Sequence, residues 1–513
     1  MRDFVIAGME PRHKWVPSRL LLVAVVASVC CASRCADAAG LRAGVAKVDV
    51  TNREAGPVND PLFVKALVLK NDATTAVIVT VDAVAIAEIG SIPNEFLSNV
   101  RRRVEQSLGI APESVIVNAS HCHGIVCTDI EDRTVRAIEQ AAQELVPVTV
   151  GVGQGHEDRI QENRRLILKD GRQVDVRQAY SLPPDEEVAA IGPIDPEIGV
   201  LRLDRADGGP LAVVYNFACH PIQAAASGGN TADITGFASQ VIEDNTGAVA
   251  LFLQGCGGDI NPVMYKDVHF PRDAEPLGNR LGLSTLAAVR EVQTTPDDRL
   301  TVVNEHLDLP RADLGARIIA VEADRERLVD SLQGTYLDLK TFLPLVTKYR
   351  LDPAHPSYES HRYLLDEALG RDDFARLDAR NRRNIEQYIR NVHTMEQLTR
   401  INTNLALLRK HQQQNLAAGS RVLDVELVGL RVGDFVLTTF PGELTVQIGL
   451  NLKQASPQEH TFVAGYTNGY IYYAPTTEQL QNVGGAQEDS DCLLAPHWQG
   501  IYEAKAKEIL GSL

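Results

Sequence analysis

Two histidines one residue apart, His121 and His123, follow directly on an apolar, β-branched run, Val115-Ile116-Val117. Side chains of an extended chain alternate with period two, so both imidazoles face the same way if the strand geometry runs on. Such a pair suits a metal site, or one ligand beside one acid/base group. Asn118-Ala119-Ser120 reads as the turn at the strand's C-terminal end, the edge of an α/β sheet where ligands collect. A second histidine stands in the same kind of place, where the strand Leu211 to Phe217 runs into Ala218-Cys219-His220-Pro221. The strand Phe435 to Thr439 leads likewise to Phe440-Pro441-Gly442-Glu443-Leu444-Thr445, a carboxylate at a strand-to-helix junction. The strand Ala248 to Leu253 ends in Gln254-Gly255-Cys256-Gly257-Gly258-Asp259-Ile260-Asn261-Pro262. Its glycines let backbone approach a ligand closely, but it lacks the lysine and spacing of a phosphate-binding loop. After Thr461 to Ala464, a polar aromatic loop gathers Tyr466, Asn468, Tyr470, Tyr472 and Tyr473.

The elements that must position these residues read as mixed β-sheets with flanking helices, an α/β fold, plus a long helical insertion. Gly44 to Val50, Phe63 to Leu69 and Ala76 to Val81 are strands, and Phe96 to Leu108 is an amphipathic helix. Asp129 to Leu145 reads as a helix stopped by Pro147, with Val148 to Gly153 the strand after it. Lys169-Asp170-Gly171 and Asp207-Gly208-Gly209 supply hairpin turns. Asp233 to Asn245 is helical, Arg421 to Val432 returns to strand, and Tyr502 to Leu513 closes the chain as a helix. Between residues 312 and 414 apolar residues such as Ile318, Val321, Leu328 and Leu332, and later Leu398, Ile401, Leu405 and Leu408, recur near the helical period. Pro344, Pro353 and Pro356 punctuate this stretch, which reads as a long antiparallel helical hairpin with solvated histidines at 355, 361, 393 and 411.

The 513 residues, 44% hydrophobic and 23% charged, are those of an ordinary globular protein. A net charge of −17 argues against nucleic acid or a polybasic membrane patch. Residues 1–38 read as a signal peptide. Arg12, Lys14 and Arg19 form the basic region, Leu20 to Ala32 an apolar run too short to span a bilayer, and Ala36-Asp37-Ala38 a cleavage site. The expectation is an exported protein, periplasmic or extracellular, with no membrane span in the mature chain. Five cysteines then remain, at 122, 127, 219, 256 and 492. They lack CxxC spacing and are too few for a disulfide framework, so they read as small buried hydrophobes.

Taken together, Ser120 to Gly124, Asn163-Arg164, Asn216 to Pro221, Gln254 to Pro262, Pro441-Gly442-Glu443 and Tyr470 to Thr476 resemble the catalytic domain of the neutral, non-lysosomal ceramidases, in the family's order. The resemblance covers most of residues 41–310 and 420–513, so that 39–311 and 415–513 are expected to be two parts of one α/β domain around the 312–414 insertion. It implies a Zn²⁺ held by His121, His220, Glu443 and Tyr473, with His123 and Arg164 as the second active-site histidine and the arginine. Such a mixed N/O set leaves room for water, whose pKa a metal lowers from about 15.7 towards about 7. The chain departs from the family at Asn261, which replaces a serine, at Ala486, which replaces a tyrosine, and in ending without an immunoglobulin-like domain. An amide cannot act as a nucleophile, so the expected reaction is hydrolysis of a small-molecule or lipid N-acyl amide by activated water, with Asn261 positioning. The alternative is a non-catalytic relative that keeps a metal-stabilised fold for binding or scaffolding.

Overall fold

The alternation in the first strands decides the layering. In Phe63–Lys70, Val64, Ala66 and Val68 face one core while Leu67 and Leu69 face another, and Val77, Val79 and Ile78 divide in the same way in Thr75–Val81. A sheet buried on both faces needs such nearly continuous apolar strands. The computed structural model describes residues 40–176, 182–224, 228–263, 265, 272–482 and 485–513, so the expected signal peptide lies outside the described residues.

Strands β1 (Arg42–Asp49), β2 (Phe63–Lys70), β3 (Thr75–Val81), β4 (Val115–Ala119) and β5 (Val146–His156) come first. Short strands β6 (Gln161–Asn163), β7 (Arg165–Leu168), β8 (Gln173–Asp175) and β9 (Val188–Ile191) follow, then β10 (Glu197–Arg205), β11 (Pro210–Phe217), β12 (Val249–Gln254) and β13 (Ile260–Pro262). Eight of them make one sheet in the order β12-β11-β10-β5-β1-β2-β3-β4. It is antiparallel except for the edge pairs β3/β4 and β11/β12. Its two halves join through a short junction, where Arg42 and Ala43 pair with Pro147 and Val146 and Leu41 O accepts from the Val148 amide, and the sheet bends so that its edges β12 and β4 come together. A second sheet, β14-β15-β16-β18, consists of β14 (Leu300–Pro310), β15 (Val422–Val432), β16 (Phe435–Thr439) and, beyond β17 (Glu443–Leu444), β18 (Thr461–Ala464). The last strand, β19 (Tyr473–Ala474), pairs in parallel with β17.

The two sheets share one core: Leu67, Ile78, Ile116, Val214 and Leu251 meet Leu430, Phe435, Leu437 and Phe462. Helices α1 (Phe96–Leu108) and α2 (Ile130–Gln143) cover the outer face of the large sheet through Phe96, Val100, Val104 and Ile138. Helices α3 (Asp233–Thr246) and α4 (Glu275–Glu291) cover its other half. Beyond an insertion that holds α5 (Gly315–Asp330), α6 (Leu339–Leu351), α7 (Ser360–Ala368) and α8 (Asp373–Ala417), helices α9 (Val446–Ala455), the short α10 (Thr477–Leu480) and α11 (Gln487–Ser490), and α12 (Trp498–Ser512) complete the chain, with α9 and α12 on the second sheet. The result is four layers, helix–sheet–sheet–helix.

Some local readings need correction. Asn118 and Ala119 belong to β4 and not to a turn. Pro147 lies inside β5, at the narrow junction between the two halves of the sheet. Helix α4 and strand β14 were not anticipated at all.

The insertion comprises α5 (Gly315–Asp330), α6 (Leu339–Leu351), α7 (Ser360–Ala368) and α8 (Asp373–Ala417). It fills the connection between β14 and β15, which pair from Leu300↔Val432 to Pro310↔Val422. Helix α8 has 45 residues and is therefore roughly 67 Å long at 1.5 Å per residue. Helix α5 runs antiparallel to it: the Leu314 amide meets Gln412 and Arg409 pairs with Glu322. Pro344 lies within α6 instead of ending it. His411 is not solvated but fully buried. No helix among the described residues is long and apolar enough to cross a membrane.

Candidate metal centre

Three strand ends converge at the seam between the sheets, and Asn118 ties them. Its Oδ1 accepts from the Gln254 amide at 2.9 Å, and its Nδ2 donates to Gly465 O and Thr467 Oγ1 at 2.8 and 2.9 Å. β4, β12 and the chain after β18 thus finish side by side. Just past β4, His121 adopts a left-handed backbone (φ +66°), an unfavourable geometry for a side chain with a Cβ. Its amide donates to Ala83 O and its Nδ1 lies 2.6 Å from Val84 O. His220, just past β11, donates its amide to Ile260 O and holds Nδ1 3.0 Å from the same oxygen. A carbonyl can only accept, so Nδ1 carries the proton in both rings and Nε2 presents a lone pair.

Both lone pairs point at Glu443. Its Oε2 is 3.1 Å from His220 Nε2 and 3.6 Å from His121 Nε2, and one ligand atom from each residue lies within 4.8 Å of the others. Two lone pairs and a carboxylate oxygen turned on one another repel unless positive charge sits among them, which is the arrangement of a cation site with ordered outer partners. Burial pushes the Glu443 carboxyl up, but positive charge on the His121 and His220 rings, which protonation of Nε2 supplies where no cation takes that place, and the Tyr470 hydroxyl hold it well below the usual carboxylate range. Tyr470 donates to Oε1 at 2.5 Å and Tyr466 to Oε2 at 3.2 Å, and the Tyr466 ring lies against that of His121. The backbone is left-handed at Tyr466, Asn468 and Tyr472, so the tyrosine loop is tightly wound.

Tyr473 is brought to the cluster by backbone pairing. It sits opposite Glu443 in β17/β19, and its hydroxyl accepts from Arg164 Nη2 at 3.2 Å. Arg164, buried, also donates from Nη1 to Asn261 Oδ1 at 3.0 Å and from Nη2 to Gly258 O at 2.5 Å. Asn261 lies in β13, buried, with its carboxamide oriented by that bond. His123 is exposed, its ring edge-on to His121 with centroids 5.9 Å apart. His121, His220 and Glu443 therefore form the cluster, Arg164 joins Tyr473 and Asn261 to one another, with Tyr473 paired to Glu443 through the backbone, and His123 is exposed.

The glycine turn matters through close approach. A Cβ on Gly258 would stand 2.5 Å from Glu443 O. Asp259, buried, accepts from the Val446 amide at the start of α9 and from Asn163. The cysteines at 122, 127, 219, 256 and 492 are free, and burial pushes the Cys122 thiol well up. Sequence reasoning missed Glu488 of α11, whose Oε1 lies 2.6 Å from Arg164 Nε. No local signal marks it, because its partner Arg164 is 324 positions away in the chain (488 − 164). Ala486, where a tyrosine was expected, is the buried residue capping the same short helix.

Comparison with solved structures finds this architecture again. A ceramidase complexed with C2 superposes with a TM-score of 0.59 at 16% identity, over 92% of this chain and 75% of that one. Neutral ceramidase from Pseudomonas aeruginosa gives 0.58 at 17% identity, over 93% and 75%. The fold is that of the neutral ceramidases. Neither family models nor curated proteins give a match at the level of sequence.

Proposed function

We propose that this protein is an exported zinc-dependent hydrolase of the neutral ceramidase family, acting on an N-acyl amide. The observation that carries the reading is the convergence of His121, His220 and Glu443, with both imidazole tautomers fixed by carbonyls, on a fold shared with ceramidases. Imidazole and carboxylate donors suit Zn²⁺, and Tyr473 is the proposed fourth ligand. Zinc bound there would supply Lewis acidity and an ionised water near neutral pH.

The chain's own residues do the rest. Arg164 fixes the Asn261 amide through its oxygen, which turns Nδ2 away from the guanidinium to donate to a substrate carbonyl as charge builds on it. Arg164 itself is engaged by Asn261, Gly258, Tyr473 and Glu488, so it positions groups and is not a direct oxyanion donor. His123, beside His121 and open to solvent, moves a proton to the leaving amine. With Asn261 and Ala486 on the substrate side, ceramide is a poor substrate and another N-acyl compound the better one. The deciding experiment is a hydrolysis screen over ceramides and other N-acyl amides, with metal analysis of the same preparation. One zinc per chain with turnover of an N-acyl amide supports the reading. Stoichiometric zinc without turnover would favour the binding or scaffold alternative, and absence of zinc would remove both.

A further inference from the structure

The far side of Arg164 is held by something outside the sheets. Glu488, fully buried on α11, contacts Arg164 Nε at 2.6 Å and Arg165 Nη2 at 3.4 Å, while Asp489 takes Arg165 Nη2 at 2.5 Å. A one-turn helix has no stability of its own, so the segment carrying these carboxylates must be fixed by its neighbours. Three residues of the insertion contact it. Asn404 Nδ2 donates to Gly485 O at 2.6 Å, Arg317 Nη1 donates to Asp489 O at 2.8 Å, and His411 Nε2 lies 2.6 Å from Asp491 Oδ1. Asp491 O in turn accepts from the amide of Tyr473 at 3.1 Å, so the clamped segment borders the metal loop directly.

The face of α8 that makes these bonds is unusual. Arg400, Asn404, His411 and Asn415 recur at spacings of four and seven, which puts them on one stripe, and all are buried around the fully buried Leu408. Arg400 pairs with Asp175, and Asn415 donates to Ala312 O and Leu493 O. An apolar seam would hold a helix as firmly, whereas buried polar groups must each find a partner and so fix one register.

We propose that α5 and α8 form a strut for the active site. Through Asn404, Arg317 and His411 they clamp residues 485–491, and Glu488, as a positioning residue, thereby holds the Arg164 guanidinium under Tyr473 and Asn261. The kinetic part rests on the hydrolase reading above, and the structural part does not.

The test uses the full chain. In Asn404→Leu with Arg317→Met, backbone amide exchange of residues 485–491 should rise at least about 10-fold while that of the sheet cores stays unchanged. On an N-acyl amide that the wild type turns over, kcat should fall roughly 10- to 100-fold with KM within about twofold and zinc content unchanged. Glu488→Gln should reproduce the kcat loss, and Glu488→Asp should recover part of it. Adding the strut substitutions to Glu488→Gln should lower kcat no further than about twofold, because both act through one guanidinium. Unchanged exchange at 485–491, or fully additive losses in kcat, would overturn the strut. If the double variant does not fold, Asn404→Ala alone is read by the same exchange measurement. Should the wild type turn over no amide, the functional reading fails, while exchange still decides the strut.

Discussion

His121 and His220 share a device: each spends Nδ1 on a backbone carbonyl and turns Nε2 to the same carboxylate oxygen. Replacing His121 by Ala removes a proposed metal donor and the ring packed against Tyr466, so metal analysis should find zinc lost and turnover abolished. His123→Ala lies outside the cluster. It should retain zinc and lose roughly 10²- to 10⁴-fold in kcat, the range of a general acid/base. Asn261→Ala should cost roughly 10- to 100-fold, about one or two transition-state hydrogen bonds. A variant of His123 that also lost zinc would make it a ligand and require the assignment to be redrawn. The histidines and Glu443 were legible in the sequence because each stands just past an apolar strand. Tyr466, Tyr470 and Glu488 could be given no role there, because their partners lie in other elements and only the fold brings them together.

Elements bring the donors into register, and small residues permit it. Gly258 passes so close to β17 that a methyl group would push Glu443 aside. Gly258→Ala should therefore lower stability by about 1–3 kcal/mol and weaken zinc retention, measured as a falling Tm and metal content together. Glu426 on β15 performs a similar service by polar means. Its Oε1 accepts from Arg101, Asn304 and Asn468, and Asn468 Oδ1 accepts from the Val117 amide, which ties the tyrosine loop to β4. Burial pushes the Glu426 carboxyl up, but Arg101 and the two amides outweigh it and hold the group below the usual range. A carboxyl with a depressed folded pKa contributes stability above its unfolded value of about 4.3, and loses it as pH falls through the folded value. Glu426→Gln should thus melt lower than wild type at pH 7, with the gap closing below about pH 4. A gap independent of pH would assign the effect to packing alone. Strand and helix positions were largely readable from alternation and the helical period. Pro147 and Pro344 misled because each sits exposed within an element, the first in the opening residues of β5, where a strand tolerates proline, and the second inside α6.

At the scale of the molecule, the four layers follow from strands apolar on both faces, and the alternation announces a buried sheet before it announces its neighbours. The bend that joins the sheet's two edges was not legible. It depends on a junction a few residues long between the start of β1 and the start of β5, and no pattern along the chain encodes so short a junction. Yet that bend is what sets His121 beside His220. The cluster therefore draws on residues 121, 220 and 443 from the end of the edge strand β4, the end of β11 beside the opposite edge, and the short strand β17, and no local stretch of chain contains even two of the three. Such a cluster is absent from the unfolded chain, so zinc bound there, as proposed, would act on the folding equilibrium as well as on any reaction. Each tenfold rise in free zinc above its dissociation constant should add about 1.4 kcal/mol to the free energy of unfolding, visible as a steady climb of Tm in metal-buffered melts. The sheets have to close before zinc finds its ligands, so refolding rates should be insensitive to zinc while unfolding slows with it. The protein would then keep its metal through kinetic persistence in dilute surroundings, long after equilibrium at the prevailing zinc concentration favoured release.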